Sequence, residues 1–154
     1  FSGASHAGKF VKHPEIILTL FGAYKLKNNA GKNVKYFYRP SPEKLRKLYS
    51  ASDIFLWPSR EEGFGLPPLE AMACKCAVVS TDTGAIRDYA IQDKTALIVP
   101  PRRPDLMADK VIELIKNDSL LKNISLAGYN MAKCFSWEKS SKTLENILLK
   151  DFKN

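Results

Sequence analysis

Five short apolar runs, each closed by turn residues and separated by polar or helical stretches, constrain this chain more than any other feature. They cover residues 16–21, stopped by Gly22; 34–38, closed at Arg39-Pro40; 54–57, ended by Pro58; 77–80; and 96–99, ended by Pro100-Pro101. Runs this short and continuous predict strands, and strands that alternate with helices assemble a parallel sheet covered on both faces. The helices between them carry their own signals. Ser41 at the N-cap and Pro42 at the first helical position open one whose Leu45, Leu48 and Tyr49 share a face. A short helix is predicted around Ile86 to Tyr89. Beyond Pro104 the pattern turns helical: Leu106, Val111, Leu114 and Ile115 mark one helix, and residues 120–134, with Gly128, mark a second. Ser136 caps a last helix with a stripe of Trp137, Leu144, Ile147 and Leu148. A helical turn through Lys9, Phe10 and Val11 precedes all of this, and 25–35 reads as a basic helix end and loop.

The chemistry concentrates after the third run, in Ser59-Arg60-Glu61-Glu62-Gly63-Phe64-Gly65-Leu66-Pro67-Pro68-Leu69-Glu70. Two glycines separated by one residue permit positive φ and close approach to a ligand. Pro67 or Pro68 at the first helical position marks a helix start whose free N–H groups and dipole suit an anion such as phosphate. Glu62 falls in the loop and Glu70 in the first helical turn, with seven residues between them. The helix dipole alone stabilises a first-turn glutamate by about 0.3–1 kcal/mol, and a loop glutamate can be a merely solvated charge. Two carboxylates beside one anion site are harder to explain by stability.

Length and charge narrow the class. A chain of 154 residues, 45% hydrophobic and 26% charged, suits one domain, residues 1–154, that buries about two-thirds of its unfolded surface. No apolar run reaches the roughly 18–20 residues that span a bilayer. The net charge of +8 is uneven: residues 1–60 hold 11 Lys/Arg against 3 acids, and residues 61–100 hold 3 against 6. Such an excess attracts a nucleotide diphosphate, nucleic acid or an anionic membrane surface, although most of it reads as a solvated lysine-rich face. Cys74 and Cys76 are too close for an ordinary disulfide and read as buried thiols of a reducing compartment. No metal site is expected, because Cys-x-Cys lacks a second ligand pair and His6 and His13 lie far off.

These residues resemble the donor-domain signature of retaining, nucleotide-sugar-dependent glycosyltransferases of the family 4 type (glycosyl transferases group 1). Glu62 and Glu70 match its E-x7-E motif; the flanking Ala51-Ser52-Asp53, Pro58-Ser59, Glu70-Ala71-Met72-Ala73, Val78-Val79-Ser80-Thr81, Gly84 and Leu97-Ile98-Val99-Pro100 match as well. The resemblance implies an α/β fold, a Rossmann-like parallel sheet with helices on both faces, forming the C-terminal half of a GT-B enzyme. It implies a donor-binding domain that helps move a sugar from a nucleotide diphosphate sugar to an acceptor such as a glycan or glycolipid, in polysaccharide biosynthesis. Glu62 is then the catalytic residue, accepting hydrogen bonds from donor-sugar hydroxyls. The loop at Gly63, Phe64, Gly65 and Leu66 meets the sugar and diphosphate, and Glu70 holds the ribose. Thr83 and Gly84 bring a second loop to the donor, while Arg39 and Ser41 border the base. No cofactor beyond the donor substrate, and no metal, is implied.

The implied partners are the nucleotide sugar, an N-terminal acceptor domain of the same protein, and a membrane surface reached through a full-length cytoplasmic enzyme. The fragment alone is expected to bind donor without turnover. Family members begin this domain with a strand and a helix carrying an Arg and a Lys that clamp the diphosphate. Too few residues separate Gly3 from Pro14 for such a crossover, so truncation is expected there, and Lys9 and Lys12 are not assigned to the clamp. Ala85 replaces a usual glycine, and Lys75 replaces another, so the turn at Lys75 is expected to need a different geometry. An alternative reading is a non-catalytic nucleotide- or partner-binding module of the same fold, against which Glu62 and Glu70 argue. Tyr36, Phe37 and Tyr38 read as core and cover rather than base platforms, and no nucleic-acid partner is expected.

Overall fold

A computed structural model of the chain describes residues 16–25 and 31–151. The expected turn at Lys9, the residues His6, His13 and Lys12, and part of the basic stretch after Lys25 lie outside them. The elements run β1 (Leu18–Gly22), β2 (Val34–Tyr38), α1 (Pro42–Ser50), β3 (Ile54–Trp57), α2 (Leu66–Ala73), β4 (Ala77–Thr81), a 3-10 turn (Ile86–Asp88), β5 (Leu97–Val99), α3 (Pro104–Lys116), α4 (Asp118–Ala132) and α5 (Trp137–Asp151). All strand pairs are parallel, as the apolar runs required, but their ladders form two pieces rather than one. β1 pairs with β2, and β3-β4-β5 form a second sheet with β4 central.

The central strand shows why these runs are apolar throughout. Every residue of β4 is buried, and alternate positions feed opposite layers because successive side chains point to opposite faces. Val78, with Phe55 and Ile98, packs under α2 and beside Tyr49, Ile86 and Tyr89. Ala77 and Val79, with Leu97 and Val99, pack against Met107, Val111 and Leu114 of α3 and Ile124 of α4. Helices therefore cover both faces. Ile115, predicted on the apolar face of α3, is exposed instead; Met107 and Ala108 take the inner stripe. At Gly128, buried in α4, an added Cβ would sit 3.0 Å from the Thr95 carbonyl oxygen and 3.2 Å from Met72 Cγ. The glycine lets α4 approach α2 and the sheet this closely.

The caps behave as read. Ser41 Oγ accepts from the Lys44 amide at 3.3 Å, and Ser136 Oγ accepts from the Lys139 amide at 3.2 Å. Three local expectations fail. α2 opens at Leu66, with Gly65 as its N-cap at φ 78°, so the proline pair occupies the second and third positions and Glu70 lies in the second turn. Gly63 keeps an ordinary φ; of the two loop glycines only Gly65 is left-handed. Lys75 takes φ 66° and so reproduces the glycine geometry instead of replacing it. Its amide bonds the Met72 carbonyl at 2.9 Å and the Cys76 amide bonds Ala71 at 3.0 Å, the paired closure of a Schellman motif. Its ammonium lies 5.1 Å from the Tyr129 ring centre. The helix expected near Ile86 is only the 3-10 turn.

Of the cysteines, Cys76 alone is fully buried. Its thiol donates to the carbonyls of Tyr49 at 3.1 Å and Ser52 at 3.3 Å, and burial pushes it up to about 12. Cys74 is half-buried and Cys134 exposed. The stripe predicted on α5 exists but faces water, with Trp137 81% exposed. Among the described residues no helix is long and apolar enough to cross a membrane.

Candidate functional site

The loop that leaves β3 is tied to the carboxyl end of β4. Thr81 Oγ1 donates to the Ser59 carbonyl at 2.6 Å. The Ser59 hydroxyl in turn reaches Glu62 Oε1 at 2.7 Å and the Glu61 carbonyl at 3.0 Å. Glu62 is thus half-buried, oriented by one hydroxyl, and keeps its other oxygen uncommitted among the described residues. The loop after β4 presses on it from the other side. The Ala85 amide donates to the Gly63 carbonyl at 2.8 Å. Gly84 sits at φ 57°, so close that a Cβ would fall 2.3 Å from the Gly63 oxygen and 2.6 Å from the Glu62 oxygen. Only glycine fits this crossing.

The peptide planes of this loop then determine what it offers. The Gly63 oxygen is bonded to the Ala85 amide, the Tyr89 hydroxyl donates to the Gly65 oxygen, and the Phe64 oxygen lies 3.4 Å from that same hydroxyl. In a trans peptide the N–H points opposite to the C=O. Pinning three successive oxygens inward therefore aims the amides of Phe64, Gly65 and Leu66 outward. None of these amides, nor that of Gly63, has an acceptor among the described residues. α2 has no side-chain N-cap, and Pro67 and Pro68 contribute no N–H. The donors at this helix start are the loop amides themselves. A Cβ at Gly63 would meet nothing within 4 Å, so that glycine leaves open space beside them.

Tyr89 is fully buried. Burial first, and then the charges of Glu62 and Asp88, hold its phenol far above the ordinary value. It remains a donor. Its ring, with Phe64 and Phe135, forms an aromatic group whose centres lie 5.4 to 6.2 Å apart.

Glu70 faces a different neighbour. The Tyr49 hydroxyl lies 3.4 Å from Glu70 Oε2, and burial together with that carboxylate raises the Tyr49 phenol. With Glu70 in the second turn, the dipole argument for its presence loses force, since the effect fades within the first turn. Glu70 instead edges a groove of about 300 Å³, lined from α1 by Pro42, Leu45, Arg46 and Tyr49 and from α2 and its C-cap by Glu70, Ala73 and Cys74. Glu62 does not line it.

The predicted residues therefore divide. Glu62, Gly63, Phe64, Gly65, Leu66, Thr83 and Gly84 gather around the loop crossing. Buried Thr83 Oγ1 and Trp57 Nε1 have no hydrogen-bond partner among the described residues, which leaves two polar atoms at the sheet's carboxyl end unanswered by them. Glu70 stands on the adjoining groove. Arg39 and Ser41 do not line it: the Arg39 guanidinium lies 5.6 Å from the Tyr38 ring centre, and Ser41 is engaged as a cap. Pro42, Leu45 and Arg46 stand there in their place. Sequence reasoning missed Ser59, Tyr49, Arg46 and Tyr89. Two of them left a signal: Ser59 in the Pro58-Ser59 match, and Tyr49 as an apolar-face residue with a hydroxyl to satisfy. Among the described residues no group of three or more His, Cys, Asp or Glu could hold a metal ion.

The sequence pattern of the family described as glycosyl transferases group 1 matches residues 6–131. An uncharacterized glycosyltransferase of Methanocaldococcus jannaschii is 31% identical over 116 residues, covering 75% of this chain and 33% of that protein. A D-inositol 3-phosphate glycosyltransferase of Corynebacterium urealyticum is 34% identical over 116 residues, covering 74% of this chain and 27% of that protein. The chain thus spans about a quarter to a third of the length of these relatives. Among solved structures, the C-terminal domain of a glycosyl transferase group 1 family protein from Francisella tularensis superposes with TM-score 0.62 at 35% identity, covering 67% of this chain and 53% of that one. Sucrose-phosphate synthase from Thermosynechococcus elongatus shares the fold, with TM-score 0.82 at 22% identity over 94% of this chain and 41% of its own. With the family pattern covering most of its length, the chain belongs to the glycosyl transferases group 1 family.

Proposed function

We propose that this domain binds the nucleotide diphosphate sugar of a retaining glycosyltransferase whose acceptor is a glycan or glycolipid. One observation carries the reading: three consecutive peptide units have their oxygens held inward, so that a row of unengaged amides faces out at the start of α2. A row of preorganised N–H groups stabilises negative charge as it develops on a leaving diphosphate. Glu62 accepts from sugar hydroxyls, Glu70 from the ribose, and Thr83 and Gly84 border the sugar from the second loop. Arg39 and Ser41 belong to the strand end nearest the base. A solved protein of this fold, from Anabaena, is described in complex with UDP-glucose, which supports a nucleotide-sugar ligand.

The transfer is a front-face displacement. The acceptor oxygen bonds to the anomeric carbon on the side from which the phosphate departs, the carbon–phosphate oxygen bond breaks, and the departing phosphate takes the acceptor proton. No covalent nucleophile is required. The acceptor is held by an N-terminal domain, and the full enzyme works in the cytoplasm against a membrane surface, so the 154-residue chain binds donor without turning it over.

Titration of the chain with UDP-, GDP- and ADP-sugars and the matching diphosphates tests this. Hydrogen bonds to a charged group contribute about 1.5–3 kcal/mol, or roughly 10- to 100-fold in affinity. Glu62→Ala is expected to lose that factor for the nucleotide sugar but not for the bare diphosphate. Glu70→Ala is expected to lose it for both. Failure of every nucleotide to bind while an oligonucleotide does would overturn the reading.

A further inference from the structure

The groove beside Glu70 has a composition that the diphosphate site does not explain. Its α1 wall comes from positions 42, 45, 46 and 49, one face of that helix, and its α2 wall from 70, 73 and 74. At about 300 Å³ it lies at the small end of ligand cavities and admits a flat heterocycle rather than a whole nucleotide sugar. Pro42, Leu45 and Ala73 give thin apolar walls suited to the faces of a ring. Its polar groups are few. Tyr49 and Glu70 are already paired with each other. Arg46 is exposed and has no ion-pair or hydrogen-bond partner among the described residues, whereas Arg87 and Arg103 are each fixed on an aspartate.

The inference rests on the reading that Glu70 holds the ribose. A base joined to that ribose by one glycosidic bond must lie beside Glu70, and the groove is there to receive it. We infer that Arg46 is a specificity-determining residue that reads the edge of the base and selects one with carbonyl acceptors, uracil or guanine, over adenine. A guanidinium only donates, through N–H groups in a fixed fork. Guanine answers it with O6 and N7 side by side, and uracil offers O4, the acceptor it shares with thymine. Adenine sets an amino donor next to N7, so one arm of the fork meets a donor.

Calorimetric titration of UDP, GDP and ADP into the 154-residue chain, Arg46→Met and Glu70→Ala tests the assignment. GDP is expected to bind the unsubstituted chain about 10-fold or more tighter than ADP, the discrimination of one good bidentate pair, and UDP, with one acceptor facing the fork, by a smaller margin. Arg46→Met is expected to remove most of that advantage while ADP affinity stays within about threefold. Whichever of UDP and GDP loses more identifies the base. Retention of the full preference in Arg46→Met, or tightest binding of ADP to the unsubstituted chain, overturns the role of Arg46. If none of the three binds, or if Glu70→Ala leaves all affinities unchanged, the ribose assignment itself fails and this inference with it. That result differs from failure at Arg46 alone, in which Glu70→Ala still weakens binding. Thermal melting confirms that Arg46→Met is folded, because the exposed side chain has no bond to lose.

Discussion

Replacing Gly84 with alanine puts the loop crossing under direct strain. The residue sits at φ 57°, where an L side chain costs about 1–2 kcal/mol. The new Cβ would start 2.3 Å from the Gly63 oxygen and 2.6 Å from the Glu62 oxygen, against roughly 3.5 Å for an unstrained contact. The Glu62 loop must retreat by about 1 Å to restore such a contact. Retreat breaks the 2.8 Å bond from the Ala85 amide to the Gly63 oxygen, worth about 0.5–1.5 kcal/mol net. The two costs sum to about 1.5–3.5 kcal/mol, which for a domain of this size lowers Tm by about 3–14 °C. The displaced amides should also lose diphosphate affinity by about tenfold, the value of one hydrogen bond to a charged group. Gly63→Ala is the control. Its Cβ meets nothing in the protein, so Tm should hold within about 1 °C while the methyl obstructs the ligand side of the loop. Calorimetric melting and titration with a nucleoside diphosphate read both quantities. An unchanged Tm and unchanged affinity in Gly84→Ala would refute the claim that this crossing shapes the site.

Gly128→Ala gains about 1 kcal/mol of helix propensity but overpacks the Thr95 carbonyl and Met72, at about 1–3 kcal/mol; urea denaturation should show a net loss of about 1 kcal/mol, and a gain would mean that the two helices can part. At Lys75, glycine relieves the left-handed strain that alanine keeps, while both lose the Tyr129 contact. Lys75→Gly should therefore be more stable than Lys75→Ala by about 1 kcal/mol in the same assay. For Cys76 the folded value is raised to about 12, so its contribution is complete below the ordinary thiol value near 8.5 and declines as pH rises toward 12. Between pH 8 and 10 the parent should lose about 2 kcal/mol relative to Cys76→Ala. Native alkylation at pH 8 should label exposed Cys134 well before buried Cys76.

What the sequence revealed depended on whether the determining contacts were local. The strands were legible because both faces of β4 are buried, leaving Ala77, Val78 and Val79 no polar alternatives. Ser41 and Ser136 were legible because a cap acts over three residues. The start of α2 differs from the expected one because a proline pair suggests a first helical position, whereas left-handed Gly65 provides the actual break and puts Leu66 first. The turn at Lys75 departs from expectation because residue type alone does not dictate its geometry. There the Schellman bonds, the Ser125 hydroxyl on its carbonyl at 2.7 Å and the Tyr129 ring hold a lysine where glycine would rest unaided. Glu62 and Glu70 stood out by spacing. Their supports did not, because Tyr89 reaches Gly65 across 24 residues and Tyr49 reaches Glu70 across 21. No local pattern encodes such a meeting.

The Tyr89 hydroxyl has one more consequence. Each peptide group it touches is a dipole with an inner and an outer pole, so negative charge arriving at the outer N–H pushes electron density toward the inner oxygen and strengthens its pull on the phenolic proton. The phenol is thereby wired to an event it never contacts. Ultraviolet difference spectra in the tyrosine band, compared between the parent and Tyr89→Phe, would register occupancy of the loop without any attached dye.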